Sequence, residues 1–252
     1  MRPYRSLAAI PHCAFEKWMP ILQNPRMRHW LQTFLLPVFC LTGCHSPREQ
    51  AVRNPAPYPT HWWTPVPKEG APAWEILPQE AKPGEVILSK RNELGLLSNF
   101  AATPFKFRGK RYASLEGFWQ MMKYPESPDD PRATCPGLRW NYTRDQVAQL
   151  TSFDAKRAGT LAEQNMITMG ITWVTFEGKR LEYKPRVPGE HYQLIVAATK
   201  EKVRQNPAVK KVLLATGNLI LKPDHHQESD APAAWRYYEI LTQIRTDLQH
   251  AK

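Results

Sequence analysis

The sequence predicts an α+β fold, a mainly helical single domain with a few short strands. Three observations carry that expectation. Apolar residues recur at helical spacing in several windows beyond residue 110, the strand candidates are short apolar runs bounded by turn signals, and these runs are interspersed among the helices. No internal repeat is visible.

The elements follow in order. Val86 to Ser89 is a strand candidate. Two short apolar runs come next, Leu96 to Phe100 and Phe105 to Phe107, and Arg108-Gly109-Lys110 can turn the chain back along Arg111-Tyr112. Ser114 suits a helix N-cap. In the helix behind it Leu115, Phe118, Trp119 and Met122 fall at i, i+3, i+4 and i+7, so they face the core, while Glu116, Gln120 and Lys123 line a second face. A proline-rich loop reaches Trp140. Thr143 with Gln146 three residues later makes a capping-box start for a short helix through Leu150, and Ser152 can cap another running over Phe153 to Met166.

Trp173 to Phe176 and Arg180 to Tyr183 flank Glu177-Gly178-Lys179 as a hairpin. His191 to Gln205 reads as a longer helix broken by Asn206-Pro207, and Pro207 and Gly217 bound a further one. Asn218 to Leu221 is a strand candidate. The last helix starts after Asp230 and buries Tyr237, Leu241, Ile244 and Leu248.

Residues 1–43 read as a signal segment. Met27-Arg28-His29-Trp30 precedes the apolar run Leu31 to Leu41, which is too short to span a membrane and ends in Leu41-Thr42-Gly43-Cys44. That ending resembles the lipobox of bacterial lipoproteins. The resemblance implies acylation of Cys44, cleavage before it and translation starting at Met27. His45 in place of the Asp typical of inner-membrane retention points to the outer membrane, facing the periplasm. A chance apolar segment in a cytoplasmic chain is the alternative.

Residues 44–84 then read as a proline-rich tether, with nine prolines between positions 45 and 83. Trp62, Trp63 and Trp74 argue against complete disorder in it. Residues 85–252 form the domain. With Cys13 and Cys40 in the signal and Cys44 lipidated, no internal disulfide is expected, and the domain rests on its core.

The chain of 252 residues carries a formal charge of +11, and it stays basic without the signal. The excess favours anionic partners such as phosphorylated ribosides, nucleotides or lipid headgroups. Nucleic acid is disfavoured, because no Lys/Arg block appears and the aromatics are not interleaved with basic residues. Nothing in the residues specifies an oligomeric state. Asp224, His225 and His226 invite a metal reading, but neighbouring histidines rarely converge on one ion and no HExxH or CxxC stands elsewhere. No metal and no redox cofactor is expected, since GxGxxG, Walker and GxSxG motifs are absent as well.

Chemistry concentrates in Leu94 to Tyr124, which sets one carboxylate, Glu116, at a helix start among aromatics. A helix N-terminus favours the ionised carboxylate. Ser98-Asn99-Phe100, Glu116, Trp119-Gln120 and Lys123, followed by Lys210 to Gly217, an acidic loop and Trp235, resemble the NADAR family, also called YbiA-like, over roughly residues 86 to 248.

The resemblance implies cleavage of N-glycosidic bonds in ribose-linked compounds, with Glu116 as the first catalytic carboxylate. Aligning Trp235 with the family's Trp makes Asp230 the second; counting forward from Gly217 makes it Asp224 or Glu228. Trp119 could stack on the leaving base, Lys123 and His226 could meet a phosphate, and Asn99 could bind ribose hydroxyls; Gln120 and Trp235 complete the expected substrate-binding set. The family's Trp ahead of the long middle helix is replaced here by Val187-Pro188, and Trp173 could reach the same space. Two other classes stay open: a non-catalytic ADP-ribose- or nucleotide-binding module at the envelope, and a structural envelope lipoprotein.

Overall fold

A computed structural model describes residues 58–228 and 230–251. The signal segment with Met27 and its Leu41 to Cys44 box, and the tether up to residue 57, lie outside the described residues.

The described domain is α+β. β1 (Glu85–Ile87) pairs in parallel with β6 (Ile220–Lys222), with Val86 opposite Leu221. β2 (Phe105–Phe107) and β3 (Lys110–Tyr112) form a hairpin whose turn residues Arg108 and Gly109 both have positive φ, 47° and 78°, the backbone twist that two-residue hairpin turns require. The expected strand at Leu96 to Phe100 is absent. Glu93–Leu97 winds instead into a 3-10 helix, because the Asn92 side chain caps it by accepting the Leu94 N–H.

α1 (Leu115–Met121) starts where Ser114 accepts the Gly117 N–H at 2.9 Å. All seven of its residues are buried, so the polar stripe faces inward instead of outward. Close approach explains this. A Cβ on Gly117 would sit 2.5 Å from the Leu150 carbonyl, so only glycine lets α1 lie against the end of α2 (Arg144–Ala148). The Thr143–Gln146 capping box of α2 forms as expected, with bonds of 2.8 and 3.2 Å. On its other side α1 meets α3 (Ser152–Thr168), which offers a face of Ala155, Ala158, Gly159 and Ala162. Thr151, not Ser152, occupies the N-cap position of α3, without a side-chain cap.

β4 (Trp173–Phe176) and β5 (Lys179–Glu182) make the second hairpin, turning at Glu177 and Gly178. α4 (Glu190–Gln205), α5 (Pro207–Ala215) and α6 (Tyr237–His250) close the core. α6 begins later than the expected start after Asp230, since Ala233–Trp235 first forms a 3-10 turn behind Pro232.

The fold also begins earlier than residue 85. Trp62, in the 3-10 helix Thr60–Trp63, is 1% exposed within the core and donates to Glu93 at 2.7 Å; Trp63 donates to the Glu85 carbonyl at 2.9 Å. Aromatic anchors tie down residues 58–84, whose prolines suppress the periodicity that would reveal them. No helix among the described residues is long and apolar enough to cross a membrane.

Candidate active site

Glu116 is the second residue of α1, and its N–H is taken by the carbonyl of Asn99 at 2.9 Å. Its carboxyl is buried. Gln120, one turn on, donates from Nε2 to Oε1 at 2.7 Å. Burial pushes the Glu116 pKa up, and the Gln120 hydrogen bond and the charges of Lys156, Lys123 and Lys90 pull it only part of the way back. The helix N-terminus therefore does not decide its protonation as expected from sequence; desolvation wins.

Lys123 completes the stripe from inside the protein at 1% exposure. Its ammonium donates to the Gly159 carbonyl at 3.2 Å and to Glu163 at 2.8 Å, and it lies 5.0 Å from the Tyr183 ring centroid. Burial lowers its pKa against the opposing pull of Glu163 and Glu116. Glu163 is shared with Lys184. Partial burial would raise its pKa, yet the two lysines hold it down at about 2. Arg132, fully buried, donates to the carbonyls of Met122 and Lys123 at 2.9 and 3.1 Å, fixing the end of α1 from which Lys123 projects.

The segment before α1 is held as firmly. Lys202 of α4, 1% exposed, donates to the Ser98 carbonyl at 2.6 Å, and burial pulls its pKa down to about 7. Asn99 thus contributes through its backbone. Among the described residues the Asn99 side chain makes no hydrogen bond into the site.

Trp119 is buried and donates to the Tyr183 hydroxyl at 3.4 Å, with its ring edge-on to His191, 5.1 Å between centroids. His191 is 1% exposed, and neither ring nitrogen has a hydrogen-bond partner among the described residues. Burial and the nearby charge of Lys123 push its pKa down to about 4. The Gln120 Oε1 is likewise buried without a partner among the described residues. Groups of this kind are costly unless an ordered water or a ligand satisfies them.

The second carboxylate candidates separate cleanly. Asp224 is 1% exposed, ion-paired to Lys90, and 3.1 Å from His225 Nδ1. Burial would raise its pKa, but His225 and Lys90 bring it below the ordinary value. Lys90 is also among the positive charges that pull the Glu116 pKa down. Asp230 stands exposed on the surface, 3.3 Å from Arg186, and Glu228 is exposed too. His226 is exposed, whereas its neighbour His225 turns inward and stacks on Tyr237. Trp235 lies at the periphery, 5.2 Å from the Lys184 ammonium. Trp173 packs on Arg132 and Arg180, and Val187 is exposed.

Two clefts of about 450 and 320 Å³ lie elsewhere, one along β6 and α6 and the other beside Tyr112 and Arg144; Glu116 lines neither. Among the described residues no group of His, Cys, Asp and Glu is arranged to hold a metal ion.

Comparison with known proteins gives a narrow result. No protein-family model matches the chain, and no curated protein matches it. Among solved structures, the NMR structure of the E. coli protein YbiA is similar at 20% identity, covering 66% of this chain and 86% of that one, with a TM-score of 0.40.

Sequence reasoning missed Lys90, Lys156, Glu163, Tyr183, Lys184 and His191, and weighed His225 without seeing that it packs against Asp224 and Tyr237. Glu163 had one usable signal. A lysine on an inward helix face needs a counter-ion, and Glu163 lies one turn beyond Gly159 on the helix that α1 packs against.

Proposed function

We propose that this chain is an N-glycosidase that hydrolyses a phosphorylated riboside or an ADP-ribose-type compound. The motif resemblance of the Leu94 to Tyr124 segment suggests the reaction class. The observation that carries the reading is the buried Glu116–Gln120 pair beside Lys123 and a His191 whose ring nitrogens have no hydrogen-bond partner among the described residues. Cleavage withdraws the anomeric C–N electron pair into the base and leaves positive charge on the ribose ring, which a fixed carboxylate stabilises. Water then adds to the anomeric carbon. Its proton passes to Glu116, whose raised pKa makes it a stronger base than an exposed carboxylate, and Glu116 then hands that proton to the departing base, which regenerates the carboxylate.

Asp224 is the better-supported partner, since it is buried and ion-paired to Lys90, while Asp230 faces solvent. Trp119, Gln120 and Lys123 shape the pocket. His226, Trp235 and Asn99 have weaker support as ligand contacts. We further propose that Cys44 is lipidated and anchors the domain to the outer membrane at its periplasmic face; mass spectrometry of the mature N-terminus tests this, and an unmodified chain beginning at Met1 or Met27 refutes it.

The test of activity incubates the purified protein with a panel of ribosides and follows released base. Glu116→Gln keeps shape and removes charge, and is expected to slow release by roughly two to four orders of magnitude. Release at the wild-type rate refutes the role. The burial of Glu116 favours one second reading, a binding module without turnover, for which ligands raise the melting temperature and no base appears.

A further inference from the structure

We propose that Trp74, Phe100 and Phe153 form a stacking platform for the planar base of the ligand, next to Glu116. The inference rests on the N-glycosidase reading and adds the part of the substrate that leaves.

Trp74 and Phe153 keep large apolar surfaces in water, at 44% and 49% exposure. Their rings lie 6.3 Å apart, and Phe100 meets Phe153 edge-on at 5.2 Å. The patch is built and not incidental. Glu75, beside Trp74, forms a two-pronged bond to Arg91 at 2.7 and 2.6 Å and bridges in strand fashion to His225, while the next N–H, of Ile76, is taken by the Asp224 carbonyl at 2.9 Å. An exposed ring on so constrained a backbone is ordered before any ligand arrives, which lowers the entropic cost of stacking on it.

Its location fits the site. Phe100 follows Asn99, whose carbonyl holds the Glu116 N–H; the Phe100 carbonyl accepts the Ser152 N–H at 3.0 Å, and Phe153 comes next. Lys90 sits 5.7 Å from the Trp74 centroid and 5.3 Å from that of Phe100, and it shares with Lys156 an electrostatic influence on Glu116. A planar base stacked here would lie against the segment whose Asn99 carbonyl holds the Glu116 N–H, with its phosphate near the Lys90 charge.

The experiment measures equilibrium binding of AMP and of ribose 5-phosphate, which has no base, to the full chain carrying Glu116 or Glu116→Gln. Trp74→Ala is expected to weaken AMP binding about tenfold and leave ribose 5-phosphate unchanged, and Trp74→Phe to restore most of the loss. Phe153→Ala, read in the same way, serves if Trp74→Ala does not fold. Equal loss for both ligands, no loss for AMP, or no preference of the parent for AMP over ribose 5-phosphate overturns the platform. Intact AMP binding with no base ever released overturns hydrolysis and leaves the platform standing.

Discussion

Gln120 donates to Glu116 across one turn of α1 at 2.7 Å, and the same amide presses against Gly159 of α3. A Cβ at Gly159 would lie 1.8 Å from the Gln120 Oε1 and 2.1 Å from its Cδ. The orientation of the carboxyl therefore depends on a missing methyl group in a neighbouring helix.

Gly159→Ala tests that dependence. The amide must swing away, releasing Glu116, at a cost of about 1–3 kcal/mol in stability. Base release should fall more than stability does, by up to roughly a hundredfold, in assays run well below the melting temperature. Unchanged turnover would show that the Gln120 contact is dispensable.

His191 gives the fold an acid sensitivity. Its pKa is near 4 when folded and 6.5 in its ordinary state, so between those values the unfolded chain binds the extra proton and stability declines as pH falls. The loss reaches on the order of 3 kcal/mol. His191→Phe should flatten that part of the curve, as seen in urea midpoints from pH 7 down to 4. Parallel curves for the two proteins would contradict it.

Asp224 acts in the same direction, in a more acidic range. Its folded pKa lies below the ordinary 3.8, so its contribution is complete at neutral pH and vanishes as pH drops through the folded value. Asp224→Asn leaves Lys90 and His225 without their carboxylate, and should cost about 2 kcal/mol at pH 7. The gap to wild type should close in strong acid; thermal melts at pH 7 and pH 3 check it.

Trp62→Ala should destabilise the domain by about 3–5 kcal/mol, as for other buried large-to-small changes. Chemical denaturation measures this. A cost under 1 kcal/mol would mean that residues 58–84 merely cover the surface.

Legibility in the sequence followed the range of the interactions. Ser114, the Thr143–Gln146 box and the Arg108-Gly109 turn act within a few residues, and each formed where local chemistry placed it. The convergence of Glu116, Gln120 and Lys123 on one helix face was legible from spacing alone. Their burial was not, since it depends on Gly117 and Gly159 meeting other helices. The same holds for Asp224 over Asp230 and His225 over His226: adjacent or nearby residues of one type in one loop are distinguished by which side packs against Lys90 and Tyr237. Trp62 lay hidden because a proline-rich stretch has no period to display.

The parallel ribbon of β1 and β6 sets Val86 against Leu221, joining opposite ends of the described polypeptide. Such a pairing has no local precursor, and a chain emerging from the ribosome cannot zip it until Ile220–Lys222 has been made. Until then the emerging polypeptide lacks its final clasp and stays available to chaperones and proteases. C-terminal truncations that stop short of Ile220 remove the clasp altogether, so nonsense or frameshift products of that length should be cleared by proteolysis instead of accumulating as folded fragments.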